Sequence, residues 1–277
     1  MKIRYTLFHY NFNRRSHIIL QIVLLLFRPN IFLHVEKSVG DYSELDWIVS
    51  YIRKQKEKTP KTIIYVQSVA ACHQMYFHFH CELKNEAYVD NIQDPNKRII
   101  EMFHSSTDEK SKSRILDEIL RKGTVRVLIA TVAMGMGIDI KDVTTVIVWG
   151  VPASMLQLWQ QIGRAGRDGR DALSIIYAYQ RSISLGCMSC KHKCTCERRK
   201  KLRLIPETND CLRSHILSDF RLNGVNYEGS ISKVACQNEC ITSCTCDFCK
   251  CCSKCSANCN CINNLQQHKQ IIDLFYP

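Results

Sequence analysis

Midway along the chain, Gly163-Arg164-Ala165-Gly166-Arg167-Asp168-Gly169 sets two arginines three positions apart among three glycines. Guanidiniums on a rigid mount suit a polyphosphate, because their planar forks pair with phosphate oxygens and stabilise charge that builds during transfer. Ser154 can cap a helix beginning at Met155. If that helix runs on past Gln160, Arg164 and Arg167 share one face, while Gly163 and Gly166 share another that can pack tightly on a sheet. The bland reading is a solvated basic turn, or a Gly-Arg patch that binds RNA without selectivity. A second glycine-rich stretch, Thr131-Val132-Ala133-Met134-Gly135-Met136-Gly137-Ile138-Asp139, follows the apolar run Val125–Ala130. Its glycines let backbone approach a ligand, and Thr131 adds a hydroxyl for phosphate. Asp139 can orient a ribose hydroxyl or a neighbouring arginine. A strand followed by a glycine-rich turn is common, but two such loops hung on one sheet point to a nucleotide.

Cysteine is the other chemistry-bearing residue, and it is unevenly placed. Of seventeen, only Cys72 and Cys81 precede residue 187, and the other fifteen lie from Cys187 to Cys261. A disulfide scaffold needs an oxidising compartment and a secretory signal. The N-terminus imitates one, with basic residues up to Arg15 and an apolar run from Ile18 to Phe27. No small-residue cleavage site follows, Arg28-Pro29-Asn30 ends the run, and ten residues are too few to span a bilayer. The run reads as a buried segment or a wrongly joined exon, the compartment as reducing, and the cysteines as metal ligands. A polycysteine segment that binds metal loosely is the competing reading.

Thirty-eight lysines and arginines against twenty-six acids leave a formal charge of +12, which favours an anionic partner and puts nucleic acid first. Part of that charge is concentrated at Arg198, Arg199, Lys200, Lys201 and Arg203. This run suits phosphate contact, a solvated helix face or a nuclear import signal.

These groups need a scaffold, and the spacing of apolar residues supplies one. Leu45, Ile48, Val49 and Ile52 form one face of a helix that Asp41 or Ser43 can cap and Pro60 cannot continue. Thr62–Val66 is β-branched and reads as a buried strand. Ser106 and Glu109 have capping-box spacing for a helix to Lys122, stopped at Gly123. Val125–Ala130, Thr144–Val148 and Leu173–Tyr177 read as further strands. Such alternation implies an α/β fold, a parallel sheet with helices on both faces and functional loops at the carboxyl ends of its strands. Periodicity fades after Tyr179, so a boundary is expected near residues 180–186.

Taken together, the motifs resemble a known family. Ala130–Asp139 and Gln160–Gly169 are similar to the fifth and sixth motifs of superfamily 2 helicases in their RecQ form. Gly-Met-Gly-Ile-Asp and Gly-Arg-Ala-Gly-Arg-Asp-Gly are typical of RecQ proteins, whereas DEAD-box RNA helicases carry Ala-Arg-Gly-Leu-Asp in place of the first. Ile63–Ser68 resembles the fourth motif, and Arg28-Pro29-Asn30 the RecQ linker between motor lobes. Two departures are mild. Phe103-His104-Ser105-Ser106 stands where Tyr-His-Ala-Gly is usual, and Met134 replaces a common Phe.

The resemblance implies a RecA-like lobe over residues 27–180, a Cys-rich zinc-binding domain over 181–277, and an unassigned segment over 1–26. By that likeness Arg167 is the arginine finger and Arg164 and Gln160 are its nucleotide-side companions, with Gly137 and Asp139 beside them. Thr131 and Ser68 become DNA-backbone contacts, joined by charge alone by Arg198, Arg199, Lys200 and Lys201. RecQ zinc modules place one cysteine on a helix and three in a C-x₂-C-x₂-C run. Here Cys211 resembles the first, and Cys246, Cys249 and Cys252 supply the run. Four thiolates closing a tetrahedron make a structural site. Cys249, Cys252 and Cys255 repeat the spacing, which leaves the register open by one step, and Cys187, Cys190, Cys194 and Cys196 could form a second site. His215 reads as a helix-surface residue rather than a ligand.

Implied with the family are ATP with Mg²⁺, Zn²⁺, and sequence-independent binding to single-stranded or forked DNA without a membrane. The implied activity is 3′-to-5′ unwinding in recombination and repair, in the nucleus of a eukaryote or otherwise in cytoplasm. One departure is serious: the sequence contains neither a G-x-x-x-x-G-K-[ST] loop nor an Asp-Glu-x-His motif. Amides and lysine of that loop cradle the β- and γ-phosphates, and an acidic partner holds Mg²⁺. The expectation is therefore half of an active site, a second motor lobe with its zinc module. Two rival readings remain: a catalytically inactive DNA-binding or regulatory protein derived from a truncated helicase, and a metal-buffering protein.

Overall fold

Among the described residues, six strands, every pairing between them parallel, run in the order β1-β6-β5-β2-β4-β3. The chain lays down β1 (Ile31–Ser38), α1 (Asp46–Gln55), β2 (Thr62–Tyr65), α2 (Val69–Leu83), β3 (Ile100–Phe103) and α3 (Glu109–Leu120). Then come β4 (Val127–Ala130), β5 (Thr145–Trp149), α4 (Met155–Ile162) and β6 (Ala172–Tyr179), continued by α5 (Gln180–Ser184). The tail contributes α6 (Glu197–Leu204), α7 (Leu212–Leu217), α8 (Ser253–Ala257) and α9 (His268–Phe275). This computed structural model describes residues 28–121, 123–131, 139–184, 197–220, 249–259 and 268–276. The Ile18–Phe27 run, Gly137, Cys246 and the group Cys187, Cys190, Cys194 and Cys196 lie outside them.

Strands β2, β4 and β5 are buried from end to end, as expected of a parallel sheet covered on both faces. Alternation of side chains divides them between two cores. Ile63 and Tyr65 pack on one side with Met155, Leu158 and Ile162 of α4. Ile64 packs on the other with Ile48, Val49 and Ile52 of α1 and Met75 and Phe79 of α2. Side-chain caps start α2, α3 and α4: Ser68 accepts from the Ala71 amide, Asp108 from Ser111 and Ser154 from Gln157. The cap of α3 is thus Asp108 rather than Ser106, since the chain turns through residues 105–107 and Glu109 opens the helix. Strands β1 and β3 carry no alternation strong enough to separate them from loop in sequence; pairing with β6 and β4 defines them.

Segments after residue 186 join both cores. Leu202, Ile205, Leu212 and Ile216 pack on the α4 side. Ile271, Ile272 and Tyr276 pack on the α1 side, where the Tyr276 hydroxyl lies 2.6 Å from Thr62 Oγ1. Its ring meets Trp47 and Tyr51 edge-on at 4.9 and 4.8 Å. Among the described residues, no helix is long and apolar enough to cross a membrane.

Candidate functional site

The arginine loop begins where α4 stops. Ile162 is the last helical residue, Gly163 caps the end, and residues 163–168 form turns, so Arg164 and Arg167 do not share a helix face. The reason lies in Gly166, whose φ of +54° is left-handed and breaks any continuation. A Cβ there would stand 2.5 Å from Asn30 Nδ2 and 2.7 Å from the Arg170 carbonyl oxygen. The Arg28-Pro29-Asn30 segment holds this loop. Arg28 donates Nη1 to the Gly163 carbonyl at 3.0 Å and Nη2 to that of Ala165 at 2.6 Å. Asn30 donates Nδ2 to the carbonyls of Gly166 and Arg170, both at 2.8 Å.

The loop sits at the amino ends of β5 and β6, opposite to the expected carboxyl ends. Gly166 N donates to Val143 O at 2.8 Å and Asp168 N to Lys141 O at 3.1 Å, both acceptors preceding β5. Because α4 follows β5 and returns antiparallel to it, whatever ends α4 must lie at that edge. Arg167 donates Nη1 to Asp139 Oδ1 at 2.8 Å and Nε to the Gly163 carbonyl at 3.3 Å. This bond holds the Asp139 carboxyl below the usual carboxylate range. Of the two roles weighed for Asp139, partner of an arginine is the one in the structure. Arg28 loses some basicity, first through burial and then through the positive charges of Arg167 and Arg213, with Asp168 opposing. Arg164 is half-buried and Gln160 exposed, while neighbouring Gln161 is buried with both amide atoms unpartnered among the described residues. Clustered guanidiniums with fixed backbone supports can receive and stabilise a polyphosphate anion. A cleft of about 400 Å³ adjoins them, lined by Lys61, Leu120, Arg121, Asp139, Lys141 and Asp142.

Hydroxyls and histidines gather at the carboxyl ends. Tyr65 pairs with Ala130 and Ala130 with Phe103, so Ser68, Thr131 and His104 leave three adjacent strands. Ser68 is exposed at the N-cap of α2, and Thr131 is nearly buried with its amide on the Phe103 carbonyl at 3.2 Å. His104 is 4% exposed, faces His73 at 4.8 Å, and has both ring nitrogens unpartnered among the described residues. Burial lowers its pKa, with His73 and Lys112 adding to the effect. The basic run lies on α6. There Lys200 is exposed, but Lys201 pairs with Asp219 at 3.4 Å. The side chains of Arg198 and Arg199 are outside the described residues. His215, on α7, contacts the Lys201 carbonyl through Nε2 at 2.9 Å.

Among the described residues, the sulfurs that converge are those of Cys211, Cys251, Cys252 and Cys255, all within 4.8 Å of one another. Cys211 and Cys252 belong to the expected set, Cys255 to the register one step along, and Cys251 to neither, while Cys246 lies outside the described residues. Buried Cys249 is not among the four. The local reason is α8, which Cys252 caps through an N–H···S bond from Cys255, 3.4 Å long, so both sulfurs face one side. Four sulfurs about 2.3 Å from a single ion stand about 3.8 Å apart in a tetrahedron, and Cys211 and Cys251 are 3.6 Å apart. Contact with Cys251 pushes the Cys211 thiol well below its ordinary range, and contact with Cys211 pushes that of Cys255 above it. An all-sulfur, closed donor set fits a structural metal ion.

Two residues that sequence reasoning missed complete the picture. Arg28 was legible only as part of a linker, yet it braces the loop. Arg213, two positions after Cys211, is fully buried and reaches both Cys251 Sγ and the Arg28 carbonyl. Sequence offered one signal for it, a charged residue on the apolar side of a short helix.

The helicase conserved C-terminal domain family matches residues 43–169. The chain is 27% identical over 226 residues to the ATP-dependent DNA helicase hus2/rqh1 of Schizosaccharomyces pombe, covering 78% of this chain and 15% of that protein. It is 50% identical over 68 residues to ATP-dependent DNA helicase Q-like 5 of Arabidopsis thaliana, 24% of this chain and 7% of that one. With ATP-dependent DNA helicase Q4 of Mus musculus it shares 42% over 74 residues, 27% of this chain and 6% of that one. The chain thus spans 15% or less of these relatives' lengths. Among solved structures, Mycobacterium smegmatis helicase Lhr bound to ssDNA and AMP-PNP aligns at 21% identity and TM-score 0.42, over 55% of this chain and 20% of that one.

Proposed function

We propose, from the premise that residues 43–169 form the C-terminal lobe of a RecQ-type superfamily 2 helicase, that this chain supplies the transition-state arm of an ATP-driven 3′-to-5′ DNA helicase. The observation that carries this reading is Arg167, braced by Asp139 and the Gly163 carbonyl on a loop already shaped by Arg28 and Asn30. An arginine finger needs such fixed geometry, because charge grows on the phosphoryl group only in the transition state. Arg167 takes that role, Arg164 and Gln160 are its nucleotide-side companions, and Gly137 and Asp139 join them in cofactor binding. ATP and Mg²⁺ are then shared with a lobe that carries the phosphate loop. Ser68 and Thr131 hold the phosphate backbone of one DNA strand at the opposite, carboxyl edge, with Lys200 adding charge.

Zn²⁺ is the ion assigned to Cys211, Cys251, Cys252 and Cys255, where it would clamp two tail segments against β1 without an open position for water. A reducing compartment, the nucleus in a eukaryote, suits so many thiols.

The deciding experiment joins the 277-residue chain to the phosphate-loop lobe of a RecQ-type relative and measures ATP hydrolysis with single-stranded DNA. DNA-stimulated turnover is expected from the joined protein and none above background from the chain alone. A joined protein that folds and binds DNA but hydrolyses nothing would assign the chain to a regulatory, DNA-binding role. Turnover by the chain alone, lost in Arg167→Ala, would sink the half-site reading.

A further inference from the structure

Between the cysteine cluster and the arginine loop stands one buried guanidinium. Arg213 is 1% exposed. Its Nε donates to Cys251 Sγ at 3.4 Å, Nη1 to the Arg28 carbonyl at 2.7 Å, and Nη2 to the carbonyls of Ile31 and Cys251. The Arg28 side chain, in turn, donates to the carbonyls of Gly163 and Ala165, which flank Arg164. These contacts form one continuous path from a cluster sulfur to the loop. A second link runs beside it, for Leu33 N of β1 donates to the Cys251 carbonyl at 3.3 Å.

We propose that Arg213 is a positioning residue that transmits the state of the cysteine cluster to the arginine loop. With the cluster closed, Arg213 fixes the backbone at Arg28 and so orders Arg164 and Arg167; with it open, the loop loosens. This rests on the cluster being a metal site only in naming what closes it. A guanidinium presents donors in a planar fork, so it fixes the relative orientation of its acceptors and not merely a distance. A buried charge must keep those acceptors, since losing one leaves the charge poorly solvated.

If Arg213 merely fills space, its loss should lower stability everywhere alike. Amide hydrogen exchange on the whole chain separates these cases. The reporters are the amides of Arg164, Ala165, Gly166 and Asp168, which donate to Gln161, Ile162, Val143 and Lys141. Amides of β4 serve as the reference. Arg213→Met should accelerate the loop amides by about tenfold while β4 is unchanged. Arg28→Ala keeps the carbonyl that Arg213 uses but removes the link to the loop, and should give the same rise. The double variant should add nothing further, as expected of two steps on one path. Unchanged loop exchange in Arg213→Met, or summed effects in the double variant, would overturn the proposal. Should Arg213→Met fail to fold, Arg213→Lys decides, with an intermediate rise expected and an unchanged loop overturning the idea. Removing metal with a chelator, followed by elemental analysis, should loosen the loop in the parent chain but not further in Arg28→Ala. Absence of bound metal in the parent chain would refute the metal reading alone, because the variants still judge the path.

Discussion

The arginine loop and the cysteine cluster are both short and irregular, yet they are held in opposite ways. The loop receives four side-chain hydrogen bonds from Arg28 and Asn30 and closes further bonds to residues before β5, so its shape stands without a ligand. The cluster gathers four thiols from segments forty residues apart, Cys211 and Cys251, and S–H groups are weak donors and acceptors. Their burial in the core repays part of that gathering, and an ion replacing the protons would add the rest. One region is organised by hydrogen bonds within the chain, the other by a donor set that fits an ion. The first can therefore be tested for what it does to a bound anion, and the second for what an ion does to it.

The largest expected effect tests the loop. In a protein containing both motor lobes, Arg167→Ala should lower turnover on the order of 10³-fold, with nucleotide affinity changed far less. A parallel loss of affinity would mean that the loop shapes the ground state, and the contrast with the cluster would shrink. Next comes the cluster: Cys252→Ser should weaken zinc binding by more than the roughly 10–100-fold that loss of an outer partner costs. Metal competition assays read this, and unchanged affinity would move the site to other cysteines. A smaller effect separates shape from charge. Gly166→Ala should cost about 1–3 kcal/mol of stability by denaturant titration, through a strained φ and a clash with Asn30. Unaltered stability would show that the loop does not need its left-handed turn.

The smallest effect concerns a place that neither region governs. Burial keeps the folded-state pKa of His104 below its ordinary value near 6.5. As pH falls through that value the unfolded chain takes up a proton that the folded chain refuses, so stability declines toward acid. His104→Asn should make this decline shallower between pH 7 and 5. Some slope should persist, because burial depresses His80 in the same direction. An identical slope in the variant would place proton uptake elsewhere.

Legibility followed sequence distance. Thr62–Val66, Thr144–Val148 and the Ser154 cap depend on near neighbours, and each lies within a residue or two of β2, β5 and α4. The Gly-Arg string marked the loop but not its shape, because the left-handed Gly166 is set by Asn30, over a hundred residues away in sequence. Of the converging sulfurs, spacing offered Cys211, Cys252 and, one step along, Cys255, since equal C-x₂-C spacings are indistinguishable until α8 aims them. The bracing role of Arg28 left no local pattern, and the one signal for Arg213 was its place on the apolar side of α7. Their partners are backbone carbonyls, which leave no trace in residue type.

Residues 271–276 emerge from the ribosome after nearly everything they touch. Ile271 and Tyr276 nevertheless sit in the core between the sheet and α1, against strands completed some two hundred residues earlier, with Tyr276 on Thr62. Domains are made at about 5–20 residues per second, amino end first. For many seconds of synthesis, therefore, one face of the sheet waits with Trp47, Tyr51 and Phe32 incompletely covered. A nascent chain in that interval offers an apolar surface to chaperones, and a stop codon just before His268 would make the interval permanent.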